Sequence, residues 1–87
     1  MTKESQDNYK ALLWASRRGM LELDVILTPY LEQHYAAMSA SEIKLFSDYL
    51  QQDDPDLYAW LMGFETAKSE FSELTAKIRQ FIEQRVN

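Results

Sequence analysis

Apolar residues recur at intervals of three and four along nearly all of this 87-residue chain, and its helix-breaking residues are limited to two glycines and two prolines. That spacing belongs to helices, whose side chains return to one face every three or four positions. An all-β architecture would need many turns, and a phosphate loop or dinucleotide fingerprint would need clustered glycines; two glycines supply neither. The chain has no cysteine, so disulfides, iron–sulfur clusters and thiolate zinc sites are excluded. Packing must therefore hold it together. At 46% apolar, the sequence can feed one small core in a single domain spanning residues 1–87.

The first helical segment runs from about Ser5 to Arg18, with Tyr9, Leu12, Leu13 and Ser16 on one stripe. Gly19 is expected to end it in the left-handed conformation, with Arg17 and Arg18 set against the negative end of the helix. The next segment spans about Met20 to Met38, through Leu23, Leu27, Tyr30, Leu31, His34 and Tyr35. Pro29 cannot donate to the helical ladder, so two pieces are expected, one ending near Leu27 and one starting at Pro29. Ser39-Ala-Ser-Glu42 is a capping box, flanked by a Met38–Ile43 hydrophobic staple, and opens a helix ending near Gln52. Asp54 is the expected N-cap of the next helix, with Pro55 at its first position and Gly63 at its end. The last helix is expected over about Thr66 to Arg85, burying Ala67, Phe71, Leu74, Ile78, Phe81 and Ile82. Connections this short favour antiparallel neighbours, hence an all-α, compact antiparallel bundle of about five helices.

The formal net charge is −5, unevenly spread. Lys3, Lys10, Arg17 and Arg18 outweigh Glu4 and Asp7 in the first twenty residues, whereas Lys44 alone faces eight carboxylates between Leu21 and Trp60. An acidic chain without a basic reading helix argues against nucleic-acid binding. No apolar run approaches the ~20 residues of a membrane span, and the polar Met1–Ser5 start leads into no signal sequence. A cytoplasmic protein without membrane insertion is expected.

Enzyme signatures are missing. The single histidine, His34, lies on an apolar stripe beside Tyr35 and reads as a packed helix histidine. The Asp53–Asp56 cluster lacks the glycine and spacing of a calcium loop and reads as helix capping. Most of the aromatics read as core, with Trp14 and Tyr58 off the main stripes. No acid–base–nucleophile set is present, so an enzyme acting alone is not expected. The segment Arg17-Arg18-Gly19-Met20-Leu21-Glu22-Leu23-Asp24 stands apart. Two arginines close one helix, a glycine turns the chain, and two carboxylates open the next. This is either dipole-complementing scaffold or a charged corner that docks on a partner.

At these residues the chain resembles the small succinate dehydrogenase assembly factors, which carry Arg-Gly-x-x-Glu, here Arg18-Gly19-Met20-Leu21-Glu22. Trp14, Arg17, Leu23 and Asp24 extend the likeness, and a second block agrees at Asp53-Asp54-Pro55-Asp56-Leu57 and Trp60-Leu61-Met62. The likeness covers roughly residues 8–63. It implies a five-helix bundle that binds the flavoprotein subunit of succinate dehydrogenase, and often of fumarate reductase, and promotes covalent attachment of FAD to a histidine of that subunit. FAD would then belong to the partner, with none held stably by this chain. The partner-binding residues would be Arg17, Arg18, Gly19, Glu22 and Asp24, on a chain acting as a monomer. Two other readings stay open: a flavin-carrying module, which needs a concave aromatic pocket, and an antitoxin-like regulator.

Overall fold

The computed structural model describes residues 3–86, so Met1, Thr2 and Asn87, including part of the polar start read at Met1–Ser5, lie outside it. Five α-helices follow one another: α1 (Lys3–Ser16), α2 (Leu21–His34), α3 (Ala40–Tyr49), α4 (Asp54–Met62) and α5 (Ser72–Val86). Single 3-10 turns at Tyr35–Ala37 and Ser69–Phe71 lead out of α2 and into α5. The all-α bundle expected from the spacing is the observed one.

Helix α2 is the central element and packs against α1, α4 and α5. Its Leu23, Leu27 and Leu31 are fully buried. Helix α1 meets this core through Leu12, with Tyr9 tilted against Tyr35 at a ring distance of 4.9 Å. Aromatic packing brings in α3: Phe46 stacks on Tyr30, and Tyr49 meets Trp60 and Phe71 at 6.0 and 5.2 Å. His34 donates from Nδ1 to the Tyr30 carbonyl at 2.9 Å and stacks on the Tyr30 ring. It is the packed helix histidine that its neighbours suggested. Trp14 and Phe64 are exposed, so these two aromatics are not core.

The strongest local signals survive intact. Ser39 Oγ accepts from the Glu42 N–H at 3.2 Å, and Glu42 Oε1 accepts from the Ser39 N–H at 3.1 Å, closing the capping box at α3. Gly63 ends α4 at φ 81°. Its N–H reaches Trp60 O and the Phe64 N–H reaches Ala59 O at 2.8 Å, the paired bonds of a Schellman motif.

Five boundaries differ from the sequence reading. Helix α3 ends at Tyr49, not near Gln52, and the Leu50 and Gln52 carbonyls accept from the Arg18 side chain instead. Helix α1 stops at Ser16, two residues early, because the buried Ser16 hydroxyl bonds Leu13 O at 2.7 Å and Thr28 Oγ1 at 2.8 Å. Arg17 and Arg18 therefore lie beyond its last turn, and Gly19 is not left-handed; Gly63 alone has positive φ among the described residues. Helix α2 runs unbroken through Pro29, because Ile26, Leu27, Tyr30 and Leu31 are buried on both sides of it and hold the two halves in line. At α4 the N-cap is Asp53, and Asp54 falls inside the helix with its carboxylate turned elsewhere. The α4–α5 connection is longer than expected, so α5 proper begins at Ser72.

Candidate functional site

The corner between α1 and α2 is built around Arg18. Its Nε donates to Asp54 Oδ1 at 2.7 Å, and the two side chains are only 16% and 28% exposed. Its Nη1 donates to Ala15 O at 3.1 Å and to Leu50 O, and its Nη2 donates to Gln52 O at 2.9 Å. Four donors of the planar fork thus meet four acceptors, a geometry that a lysine could not match. A charge-assisted bond to a guanidinium outcompetes helix capping, which explains why Asp54 does not cap α4. The Arg18 backbone N–H donates to Asp24 Oδ1, in the first turn of α2. Asp24 thus braces the corner internally, while Arg18 ties it to the α3–α4 connection and to Asp54 in α4, 36 residues downstream.

The other three motif residues point outward. Arg17 and Glu22 are exposed and make no ion pair or hydrogen bond with their side chains among the described residues. Gly19 is exposed, and a Cβ placed on it would meet nothing within 4 Å. Neither its backbone angle nor its surroundings require a glycine. The five candidate residues therefore divide: Arg18 and Asp24 brace the corner from within, while Arg17, Gly19 and Glu22 form its outer surface.

Apolar side chains border that surface. Trp14 in the last turns of α1 is 78% exposed, and Leu21 and Val25, one turn apart on α2, are 71% and 52% exposed. Sequence reasoning noted Trp14 as off-stripe but passed over Leu21 and Val25. Their signal was an excess: α2 carries more apolar residues than one buried stripe can use. Asp54 was also readable only in part. It sits in the second block of the likeness, and the two blocks meet at the Arg18–Asp54 pair.

Three grooves of about 220, 330 and 320 Å³ indent the surface. They lie at or below the lower end of the range for small-molecule sites, about 300–1,000 Å³. Tyr30 and His34 line the first, and Trp60 and Phe64 line the second. Among the described residues, no three His, Cys, Asp or Glu side chains gather to hold a metal ion, and no helix is long and apolar enough to cross a membrane.

The chain is similar in sequence and fold to known proteins. Residues 10–82 match the family model described as flavinator of succinate dehydrogenase. The match continues into α5, where no motif was read. A Legionella pneumophila protein named FAD assembly factor SdhE is 43% identical over 68 residues, covering 78% of this chain and 86% of that protein. One of the same name from Idiomarina loihiensis is 42% identical over 78 residues, covering 90% and 84%. The solution structure of a UPF0350 protein superposes with a TM-score of 0.74 at 36% identity, over 99% of this chain and 89% of that one. With most of its length matched by the family model and by relatives above 40% identity, this chain belongs to the SdhE-type flavinators of succinate dehydrogenase.

Proposed function

We propose that this chain docks on the flavoprotein subunit of succinate dehydrogenase and promotes covalent attachment of FAD to a histidine of that subunit. The contact is the outer surface of the α1–α2 corner: Arg17, Gly19 and Glu22, bordered by Trp14, Leu21 and Val25. The observation that carries this reading is Gly19. It has an ordinary φ and open space where a Cβ would stand, so nothing within this chain asks for glycine there. A partner backbone approaching closely supplies the requirement. Beside it, Arg17 and Glu22 leave their charges unpaired among the described residues, free to meet partner groups. Exposed Trp14 is suited to be the anchor, since tryptophan and arginine dominate binding energy at interfaces.

In this reading the contribution of the corner is geometric. The flavin supplies the reactive ring and the partner supplies the histidine. A rigid grip that holds the partner with these two in near-attack alignment lowers the barrier by several kcal/mol, as positioning does generally. Arg18 and Asp24 serve this indirectly. They fix the shape of the corner and do not themselves reach the partner.

The test is co-expression with the flavoprotein subunit of succinate dehydrogenase, and in parallel that of fumarate reductase, scored by in-gel fluorescence of covalent flavin. The chain is expected to raise labelling, and Gly19→Arg to abolish the gain while its thermal unfolding stays unchanged. Equal labelling with and without the chain refutes the proposal. Full activity of a folded Gly19→Arg variant moves the contact away from the corner.

A further inference from the structure

Proline at position 29 removes the N–H that would have met the Val25 carbonyl four residues earlier. That place is filled from the far end of the chain. Arg85, in the last turn of α5, donates from Nη1 to Val25 O at 3.1 Å across a sequence separation of 60. Its guanidinium carbon stands 5.4 Å from the centroid of the Phe81 ring, which meets Tyr30 edge-on. Arg85 lines a groove between α2 and α5 together with Val25, Ile26 and Ile82. The side chain is exposed, and the Phe81 ring and the Val25 carbonyl together position its guanidinium.

We infer that Arg85 is a positioning residue: it supplies α2 with the hydrogen bond its proline cannot make, and so fixes the direction of the first turns of α2. Those turns carry Glu22 and the Asp24 brace, and they begin directly after Gly19. Two consecutive residues anchor them: Asp24 on the Arg18 N–H, and Val25, whose carbonyl Arg85 reaches. Leu21 and Glu22 of the docking surface lie directly before this anchor, and the functional half of this inference rests on that docking reading. It also gives α5, which carries no motif, a part in the work of the corner.

A mutant cycle on the full chain tests it. In a Pro29→Ala background the residue at 29 regains its N–H and reclaims the Val25 carbonyl, so Arg85 becomes dispensable. Arg85→Ala is expected to lower Tm by about 4 °C with Pro29 present and by less than about 1 °C in the Pro29→Ala background. Arg85→Lys, which keeps one donor, retains part of the stability. The Val25 carbonyl carbon resonance moves upfield in Arg85→Ala whatever the stability effect. Affinity for the flavoprotein subunit falls about threefold in Arg85→Ala and recovers in the double variant. Equal Tm losses in both backgrounds, or an unmoved Val25 resonance, overturn the inference, water then serving the carbonyl equally well. Coupled stability with unchanged affinity overturns its positioning half. A wild-type chain that binds no flavoprotein at all refutes the docking reading instead, while Tm and the resonance still decide whether Arg85 replaces the missing donor.

Discussion

Tyr49 concentrates the residue-scale chemistry of the core. It is fully buried, meets Trp60 and Phe71, and pairs its hydroxyl with Thr75 Oγ1 at 3.0 Å. Burial penalises the phenolate and pushes its ionisation up to about 12, against an ordinary value of 10.0. A folded-state value above the unfolded one means the stabilisation is complete below pH 10 and is lost as pH rises toward 12. Resistance to urea unfolding should therefore fall across that window, and Tyr49→Phe should flatten the decline. The same variant leaves the Thr75 hydroxyl, 6% exposed, without its partner, at about 1–3 kcal/mol when measured at pH 7. Persistence of the full alkaline decline in Tyr49→Phe would place its origin elsewhere. The two glycines show how differently one residue type can be used. Gly63 is required from within by its φ of 81°, whereas the Arg79 guanidinium tip, 3.0 Å from where a Cβ would be, could move aside. Gly19 has no positive φ and open space where a Cβ would stand, which is the contrast on which the docking proposal rests.

At the scale of elements, what was legible in the sequence was whatever depends on neighbours in the chain. The Ser39–Glu42 capping box and the Gly63 stop are local bonds between residues a few positions apart, and both were readable. The end of α1, the continuity of α2 through Pro29 and the choice of Asp53 over Asp54 as cap were misread. Each is decided by a partner distant in sequence or by core packing: Thr28 on Ser16, buried neighbours around Pro29, Arg18 on Asp54. The candidate site follows the same rule. Its residues were identifiable as a motif, but their division into inner braces and outer surface depends on Asp54, Leu50 and Gln52, which spacing cannot reveal. The brace itself makes a prediction. Arg18→Ala strands the Asp54 carboxylate and the Leu50 and Gln52 carbonyls, and should cost about 2–3 kcal/mol in chemical denaturation. Arg18→Lys recovers less than half of this, because a point charge cannot span four acceptors. Glu22→Ala, at an exposed position, should stay within about 0.5 kcal/mol of the parent. If Arg18→Ala is equally neutral, the guanidinium is not the brace, and its weight in the motif is for the partner directly.

Viewed as a whole, the molecule keeps its two tryptophans for separate tasks. The Cα radius of gyration of 12.5 Å is close to the ~12 Å expected for a compact chain of this length. Within that volume Trp60 is 5% exposed and packs on Tyr49 and Phe71, whereas Trp14 is 78% exposed. An indole left largely in water contributes little burial to the core of its own chain. On the docking proposal, covering it with a partner contributes about 2 kcal/mol or more, as for a well-seated interface tryptophan. Incorporating 5-fluorotryptophan into this chain alone gives two 19F resonances, assigned by Trp60→Phe. Adding unlabelled apo-flavoprotein should shift and broaden the Trp14 resonance and move the Trp60 resonance little. Trp14→Ala should weaken the complex at least about tenfold with the unfolding midpoint unchanged. A Trp14 resonance that keeps its free position in a saturated complex would put the indole outside the interface, and the grip would then rest on Arg17, Gly19 and Glu22 alone.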